Sequence, residues 1–544
     1  MRWQWLMRSD GRGSRRRAAL LWFGCSDGLR HGCGWVSVRG LGRCVGRAMV
    51  RLAASAAGSG TRFATSIAAV VSVLVLSSCG FSAAQRSTLA QTGIGVPAQW
   101  TSPGPADGEA TGPTSANEAW VADLGTPELT ALIEEALGRN FGLRRVSARA
   151  RAAHARARVA GARLKPRVDG EGSASRTGTP AEDDTRSNVS SFDAVLSGSW
   201  EVDLWDRLSG EARASSLDAS AAVADYVGAR LSVAADVGQA WFDAIEATLQ
   251  VALAEETVGN FRDNLGVVEN GFELGLNGAL DVRLERANLA TAESRVEARR
   301  ITEDAALRLV ETLLGRYPGA KLEVSAELNA PSVDVPAGLP AELLARRPDI
   351  QAAARRLAAA DARFDVARKN WLPRVVLTAR GGVTSMELEN LLDFDALLWS
   401  LASTLTAPIF RAGELQAERD IAQADVDEAL AAYAQAVLTA FREVESALVS
   451  EQLLESQEEA LRVAARESEE AASLALERYR VGLVDIVTWL DARNRTFDAK
   501  SALLTTSNER LQNRIALYLA LGGGFGSASI SDSAAPAVPD GSGT

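Results

Sequence analysis

Phe272-Glu273-Leu274-Gly275-Leu276 and Tyr479-Arg480-Val481-Gly482-Leu483 each close a long proline-free stretch, and their glycines stand 207 residues apart. Pro166-Arg167-Val168 and Pro373-Arg374-Val375 are separated by the same 207 residues. Matched breakers at a fixed interval mark an internal repeat, and a repeat fixes the architecture before any single element is read. Upstream of the first glycine, Leu208 to about Gly271 is Ala-rich and uninterrupted for 64 residues. As one helix it spans roughly 96 Å, far beyond a globular helix. Ala240-Trp241 matches Ala440-Phe441 at an interval of 200 instead. That predicts seven residues transferred from loop to helix between the copies. Seven residues are about two turns and keep the buried face unchanged.

The spacing predicts the same elements in each copy. In the first, Pro127 begins a short helix and a second runs from about Leu143 to Leu164. A strand follows Pro166, then an acidic loop from Pro180 to Ser191, then a strand over Phe192 to Asp203. There Phe192, Ala194, Leu196, Gly198 and Trp200 alternate with Asp193, Ser197, Ser199 and Glu201, giving one apolar and one wet face, with Val195 the exception. The helix from Leu208 ends at Gly275, and another runs from Ala279 to Leu314. In the second copy, helices are expected at Asp349–Trp371, Gly413–Tyr479 and Asp485–Leu521. Strands are expected from Pro373 to Val383 and from Trp399 to Ala407, around an acidic loop at Glu387–Asp395.

Aromatic residues make up only 6% of the chain, and the long segments are rich in Ala, Glu, Arg and Leu, the composition of packed helices. Residues 1–48 carry ten Arg, two Asp and three cysteines without periodicity and are read as an over-extended start before Met49. Residues 49–78 form a signal peptide: Arg51 and Arg62, an apolar run from Ile67 to Leu76 too short to span a bilayer, and Leu76-Ser77-Ser78 before Cys79. Leu76 to Cys79 resembles a bacterial lipobox. That resemblance implies cleavage before Cys79 and acylation of its thiol and new amino group, and Gly80 favours export to the outer membrane. Residues 1–78 hold twelve Arg and two Asp, so their removal takes the formal charge from −11 to −21. So acidic a chain is a poor nucleic-acid binder. His154 is then the sole histidine and Cys79 the sole cysteine, which excludes an internal disulfide and argues against a histidine-based catalytic or metal centre.

The expected organisation is a lipidated N-terminus and tether over residues 79–120, a first repeat over 121–320, a connector over 321–346, a second repeat over 347–521 and a disordered tail over 522–544. Four strands per chain are too few to enclose a barrel, and an open sheet edge is not tolerated in lipid. Closure therefore needs several chains; three supply twelve strands, an even number. The alternative is two soluble hairpins capping a coiled coil.

Leu339-Pro340-Ala341-Glu342-Leu343-Leu344-Ala345-Arg346-Arg347-Pro348-Asp349-Ile350 closely resembles the segment joining the two repeats in the TolC-like outer-membrane efflux proteins, specifically the NodT-like lipoprotein branch serving resistance-nodulation-division (RND) pumps. Tyr479-Arg480-Val481-Gly482-Leu483 with Leu490-Asp491-Ala492 resembles the second tip motif of that family, and Gly275-Leu276 with Leu280-Asp281-Val282 the first. Asp203-Leu204-Trp205 and Pro408-Ile409-Phe410 resemble the starts of its long helices. The resemblance covers about residues 118–522. It implies a mainly α chain with a transmembrane β part: a homotrimer with a twelve-stranded outer-membrane barrel and a periplasmic tunnel of helical hairpins. Its partners are then outer-membrane lipid, a periplasmic adaptor and an inner-membrane RND pump that supplies drugs or other small toxic compounds.

At the tip, Gly275 and Gly482 permit torsions other residues avoid and let a partner backbone approach, so Gly275, Leu276, Gly482 and Leu483 are the adaptor-docking candidates. Their bland role is helix termination. Tyr479, Asp485, Asp491 and Arg493 are the gate candidates. Asp485 sits where an N-cap belongs. Asp491 would form a charged ring in a threefold pore, or else lie on a solvated helix face. The family often has arginine three residues after this aspartate, where Asn494 stands between Arg493 and Arg495, so the gate pairing is expected to differ. Glu467-Ser468-Glu469-Glu470 reads as a wet face, and Arg149, Arg151, Arg156 and Arg158 are candidates for pairing with such acids between protomers. No nucleophile, metal cluster or phosphate loop stands out, so neither enzymatic activity nor a cofactor is expected. A polypeptide-secretion outlet and a lipid-anchored coiled-coil scaffold are the other readings. The connector motif argues against the first and the strand hairpins against the second.

Overall fold

The computed structural model describes residues 94–97, 99–102, 127–180, 186–324, 327–328, 340–390 and 397–523. The readings of the N-terminal extension, the signal peptide, Cys79 and the tail beyond residue 523 fall outside these residues. In the first copy, α1 (Pro127–Arg139) and α2 (Phe141–Ala162) precede β1 (Arg167–Pro180), β2 (Arg186–Val202), α3 (Arg207–Glu273) and α4 (Ala279–Leu313). The short α5 (Pro340–Arg346) leads into α6 (Pro348–Lys369), β3 (Arg374–Ser385), β4 (Leu397–Thr406), α7 (Glu414–Arg480) and α8 (Ile486–Ala520). Among the described residues no helix is long and apolar enough to cross a membrane.

Two expectations need correction. Arg186–Ser191 belongs to β2 and not to a loop, because its backbone pairs with Ser175–Pro180 of β1. The seven-residue transfer from loop to helix does not occur: α3 and α7 are both 67 residues long, and their starts and ends are each 207 apart. A heptad slip keeps a side chain on the same face, so the Trp241–Phe441 match follows similar packing two turns out of register.

The long helices start and stop for local reasons. Asp203 accepts from the backbone N–H groups of Leu208 (2.9 Å) and Ser209 (2.7 Å), satisfying donors in the first turn of α3. Trp205 donates its indole N–H to the Pro373 carbonyl at 2.8 Å, tying this turn to the start of β3. α3 packs against α4, and α7 against α8, as antiparallel hairpins, with α6 lying along both α3 and α7. Trp241, Ile245, Leu129, Ile133, Leu314 and Ile515 bury a core where α1, α3, α4 and α8 meet. A second core joins Ile350, Tyr433, Val437, Val444 and Leu517, with Ile94, Val96 and Trp100 of the N-terminal segment packed on it. Glu445 fixes that segment by accepting from the Thr101 and Ser102 amides at 2.8 and 2.9 Å.

The connector motif is explained by one side chain. Arg347, buried at the N-cap of α6, donates to both Asp349 oxygens (3.1 and 2.7 Å), to Glu443 of α7 (2.7 Å) and to the Ala520 carbonyl closing α8 (3.1 Å). Burial pulls the Asp349 carboxyl upward, but the Arg347 hydrogen bonds and charge outweigh it and leave its pKa below the ordinary value.

The strands form one antiparallel sheet in the order β1-β2-β3-β4, so the two hairpins join through β2 and β3. Directly opposed residues share a face. The register therefore gathers Val168, Phe192, Leu196, Trp200, Leu377 and Trp399 on one side. Asp169, Ser173, Asp193, Ser197, Thr384 and Ser400 lie on the other, with Val189, Val195, Val376 and Leu398 as apolar exceptions. Ser173 donates to Asp193 at 2.8 Å on that polar face. The apolar side is bare: Trp399 is 79% and Leu401 73% exposed. Among the described residues the outer edges of β1 and β4 have no partner strand.

Candidate functional site at the helical tip

The far ends of the two hairpins carry the site. Gly275 and Gly482 adopt φ of +74° and +75°, the left-handed region that glycine enters without cost. Each is the C′ residue of a Schellman-type helix end. Gly275 and Leu276 donate to the Phe272 and Gly271 carbonyls (3.0 and 2.7 Å), and Gly482 and Leu483 to those of Tyr479 and Arg478 (2.9 Å each). A Cβ built on either glycine meets nothing within 4 Å, so both tips face open space. Leu274, Leu276 and Leu280 at the first tip, with Val481, Leu483 and Val487 at the second, are all exposed. The four docking candidates thus carry both the turns and part of an apolar surface.

The gate candidates divide into two groups. Asp485 caps α8, accepting from the Thr488 amide at 2.8 Å and its hydroxyl at 2.6 Å, and those bonds hold its pKa below the ordinary carboxylate value. Asp491 is exposed and pairs with Arg495 one turn on, at 2.8 Å. Both acids are therefore satisfied by residues of α8. Tyr479 stacks on Trp489 with ring centroids 5.5 Å apart and meets Asn277 of the first tip at 3.5 Å. Arg493 turns inward, its guanidinium 4.3 Å above the Phe261 ring and 5.6 Å from that of Trp489.

Sequence reasoning missed the group facing Arg493. Glu285 of α4 is fully buried, and neither carboxyl oxygen has a hydrogen-bond partner. Burial drives its pKa up to about 7, with the Arg493 charge partly opposing. Burial lowers the Arg493 pKa, with Glu285 opposing in turn. Tyr479 is raised by burial first, then by the charges of Asp281 and Glu285. The two repeats thus meet at the tip through an aromatic cluster that encloses one acid and one base. The clue was available: Val282, Glu285, Leu289, Ala292 and Val296 follow a 3–4 spacing, so Glu285 occupies a core position of an apolar stripe.

A family model described as "Outer membrane efflux protein" matches residues 132–316 and 339–523. The pyoverdine export outer membrane protein OpmQ of Pseudomonas putida is 34% identical over 448 residues, covering 80% of this chain and 93% of that protein. The outer membrane protein OprJ of Pseudomonas aeruginosa is 32% identical over 412 residues, covering 75% and 86% respectively. Among solved structures, the outer-membrane channel OprN aligns with a TM-score of 0.71 at 30% identity, over 79% of this chain and 98% of that one.

Proposed function

The chain belongs to the outer membrane efflux protein family, and from that premise we propose that it is the outer-membrane conduit of a tripartite RND pump. Three copies join their sheets edge to edge, β4 of one against β1 of the next, and close a twelve-stranded barrel. The observation that carries this reading is the sheet itself: among the described residues of one chain it has two unpaired edges and a bare apolar face. In lipid an open edge leaves backbone donors and acceptors unsatisfied at several kcal/mol each, so a four-stranded sheet needs other copies. The polar face then lines the lumen and the apolar face meets lipid. α3, at about 100 Å, supports a periplasmic tunnel below.

Cys79 carries the acyl anchor, and the bare leucines and valines around Gly275 and Gly482 are where the periplasmic adaptor docks. Asp485 and Asp491 face the aperture, while Tyr479 and Arg493 brace the two hairpins behind it. Small molecules arrive from the inner-membrane pump, and the conduit performs no chemistry. The reading is tested by expressing the chain with a cognate adaptor and pump in a host lacking its own outlet. Drug resistance should be restored, and the purified protein should conduct ions across planar bilayers. Resistance unchanged from the empty host, with no conductance, contradicts it. Mass spectrometry of membrane-extracted protein should find acyl mass on Cys79 and residues 1–78 absent; an unmodified amino terminus elsewhere contradicts the anchor.

A further inference from the structure

We propose that α2 of one copy docks on α7 of a neighbouring copy in the register that α6 takes on α3 within one chain, with Arg156 meeting Asp425 and Arg145 meeting Glu428. This rests on the trimeric reading above and adds to it the faces, the register and the charge pairs.

The 207-residue interval holds for contacts as well as for sequence. Arg163 lies 3.9 Å from Glu211, and 207 residues on, Asn370 donates to Glu418 at 3.5 Å. Each short helix therefore sits against its own long helix in the same way. α6 makes a further contact that α2 lacks a counterpart for within one chain. Along α3, Arg356 pairs with Asp225 and Arg363 with Asp218, and Ala352 packs against Ala221 and Ala224 in a dry cluster. Gly210 of α3 is crowded by Val366 and Ala362.

Transferred by 207 residues, the positions of both faces are uncovered; Ala417 and Ile421 stand where Gly210 and Ala214 do, so the two helices sit slightly further apart. Ala352, Ala359 and Val366 are buried on α6, whereas Arg145, Ala152 and Val159 of α2 are exposed. Gly210, Ala214, Ala221 and Ala224 are buried on α3, whereas Ala417, Ile421, Glu428 and Ala431 of α7 are exposed. A single chain cannot bring these two faces together while α2 stays on α3, but a second copy can.

The charges agree with the register. Residues 141–167 hold nine Lys or Arg and no Asp or Glu, in a chain whose formal charge is −11. Arg145, Arg149 and Arg156 are exposed and make no ion pair among the described residues, nor do Asp425 and Glu428. The register sets Arg156 on Asp425, the counterpart of Arg363 on Asp218. The alanine cluster is replaced by Arg145 on Glu428, and Arg149 lies opposite Ala432, one turn from the same glutamate. Exposed ion pairs contribute little affinity each but fix partner and register, while Ala152, Ala155 and Val159 supply the close packing.

The test is a cysteine pair. Gly210 and Ala362 transfer to Ala417 and Ala155, so Ala155→Cys with Ala417→Cys in the full chain should form an interchain disulfide on mild oxidation, giving a covalent ladder ending at three chains. Each single variant, and Ala155→Cys with Ala424→Cys two turns away, should give none. Charge reversal provides a second readout. Arg156→Asp and Asp425→Arg should each lower the temperature at which the trimer dissociates, and together should restore it. A parent of trimeric mass whose cysteine pair gives no ladder overturns this interface while leaving the trimeric conduit standing. Reversals whose effects simply add overturn the Arg156–Asp425 pair. A monomeric parent overturns both readings.

Discussion

Replacing Glu285 with Gln removes a buried acid whose ionisation opposes folding of the tip. Its native pKa of about 7 lies above the ordinary 4.5, so the native tip holds the proton more tightly than the unfolded one. The contribution is therefore fully present below about pH 4.5, falls as pH rises, and is gone above about 7. Between pH 5.5 and 8 the loss is about 2 kcal/mol, roughly thirty-fold in an opening equilibrium. The groups facing Glu285 are Arg493 of α8 and Tyr479 of α7, with Asp281 one turn away on α4. Burial raises the Tyr479 pKa and lowers that of Arg493, and Glu285→Gln separates the carboxyl's contribution from both. The assay is hydrogen exchange of peptides covering Val282–Val296 and Ile486–Phe497 at pH 5.5 and 8, expressed as protection factors. The parent should lose protection at pH 8 and Glu285→Gln should not. Equal pH dependence in both proteins would refute the assignment to this carboxyl.

Gly482→Trp should abolish drug resistance while the barrel still assembles: the left-handed turn then costs about 1–2 kcal/mol, and the indole projects into space left open for the adaptor. Intact efflux would place docking elsewhere. Arg347→Met should destabilise the junction of α6, α7 and α8 by roughly 1–3 kcal/mol, because half-exposed Asp349 and Glu443 and the Ala520 carbonyl lose their shared donor. Limited proteolysis near the connector reads this, and wild-type resistance to protease would count against it. Since Asp349 is held below its ordinary pKa, the parent junction should weaken as pH falls below about 4. Asp491→Ala should alter cation preference or closed-state leak in planar bilayers; unchanged selectivity and closure would leave Asp491 as a solvated helix-face residue paired with Arg495.

The repeat, the hairpins and the tip turns were legible because prolines and glycines punctuate the chain at fixed intervals and the strands alternate in hydrophobicity. The slip of 200 against 207 was not resolvable from sequence, since a helix shifted by two turns shows the same face. The connector motif could be recognised, but the role of Arg347 could not, because its partners Glu443 and Ala520 come from distant parts of the chain. Among the gate candidates, the cap at Asp485 followed from its place before α8. The inward turn of Arg493 did not, because it depends on Phe261 in the other repeat and on a buried acid that reads as one more surface glutamate.

The most direct test of the account is the native mass of the detergent-extracted protein, measured with its fold retained. One species of three protomers is expected, in which the free sheet edges are paired between copies. A stable, folded species of one protomer, with those edges left unpaired, would contradict it.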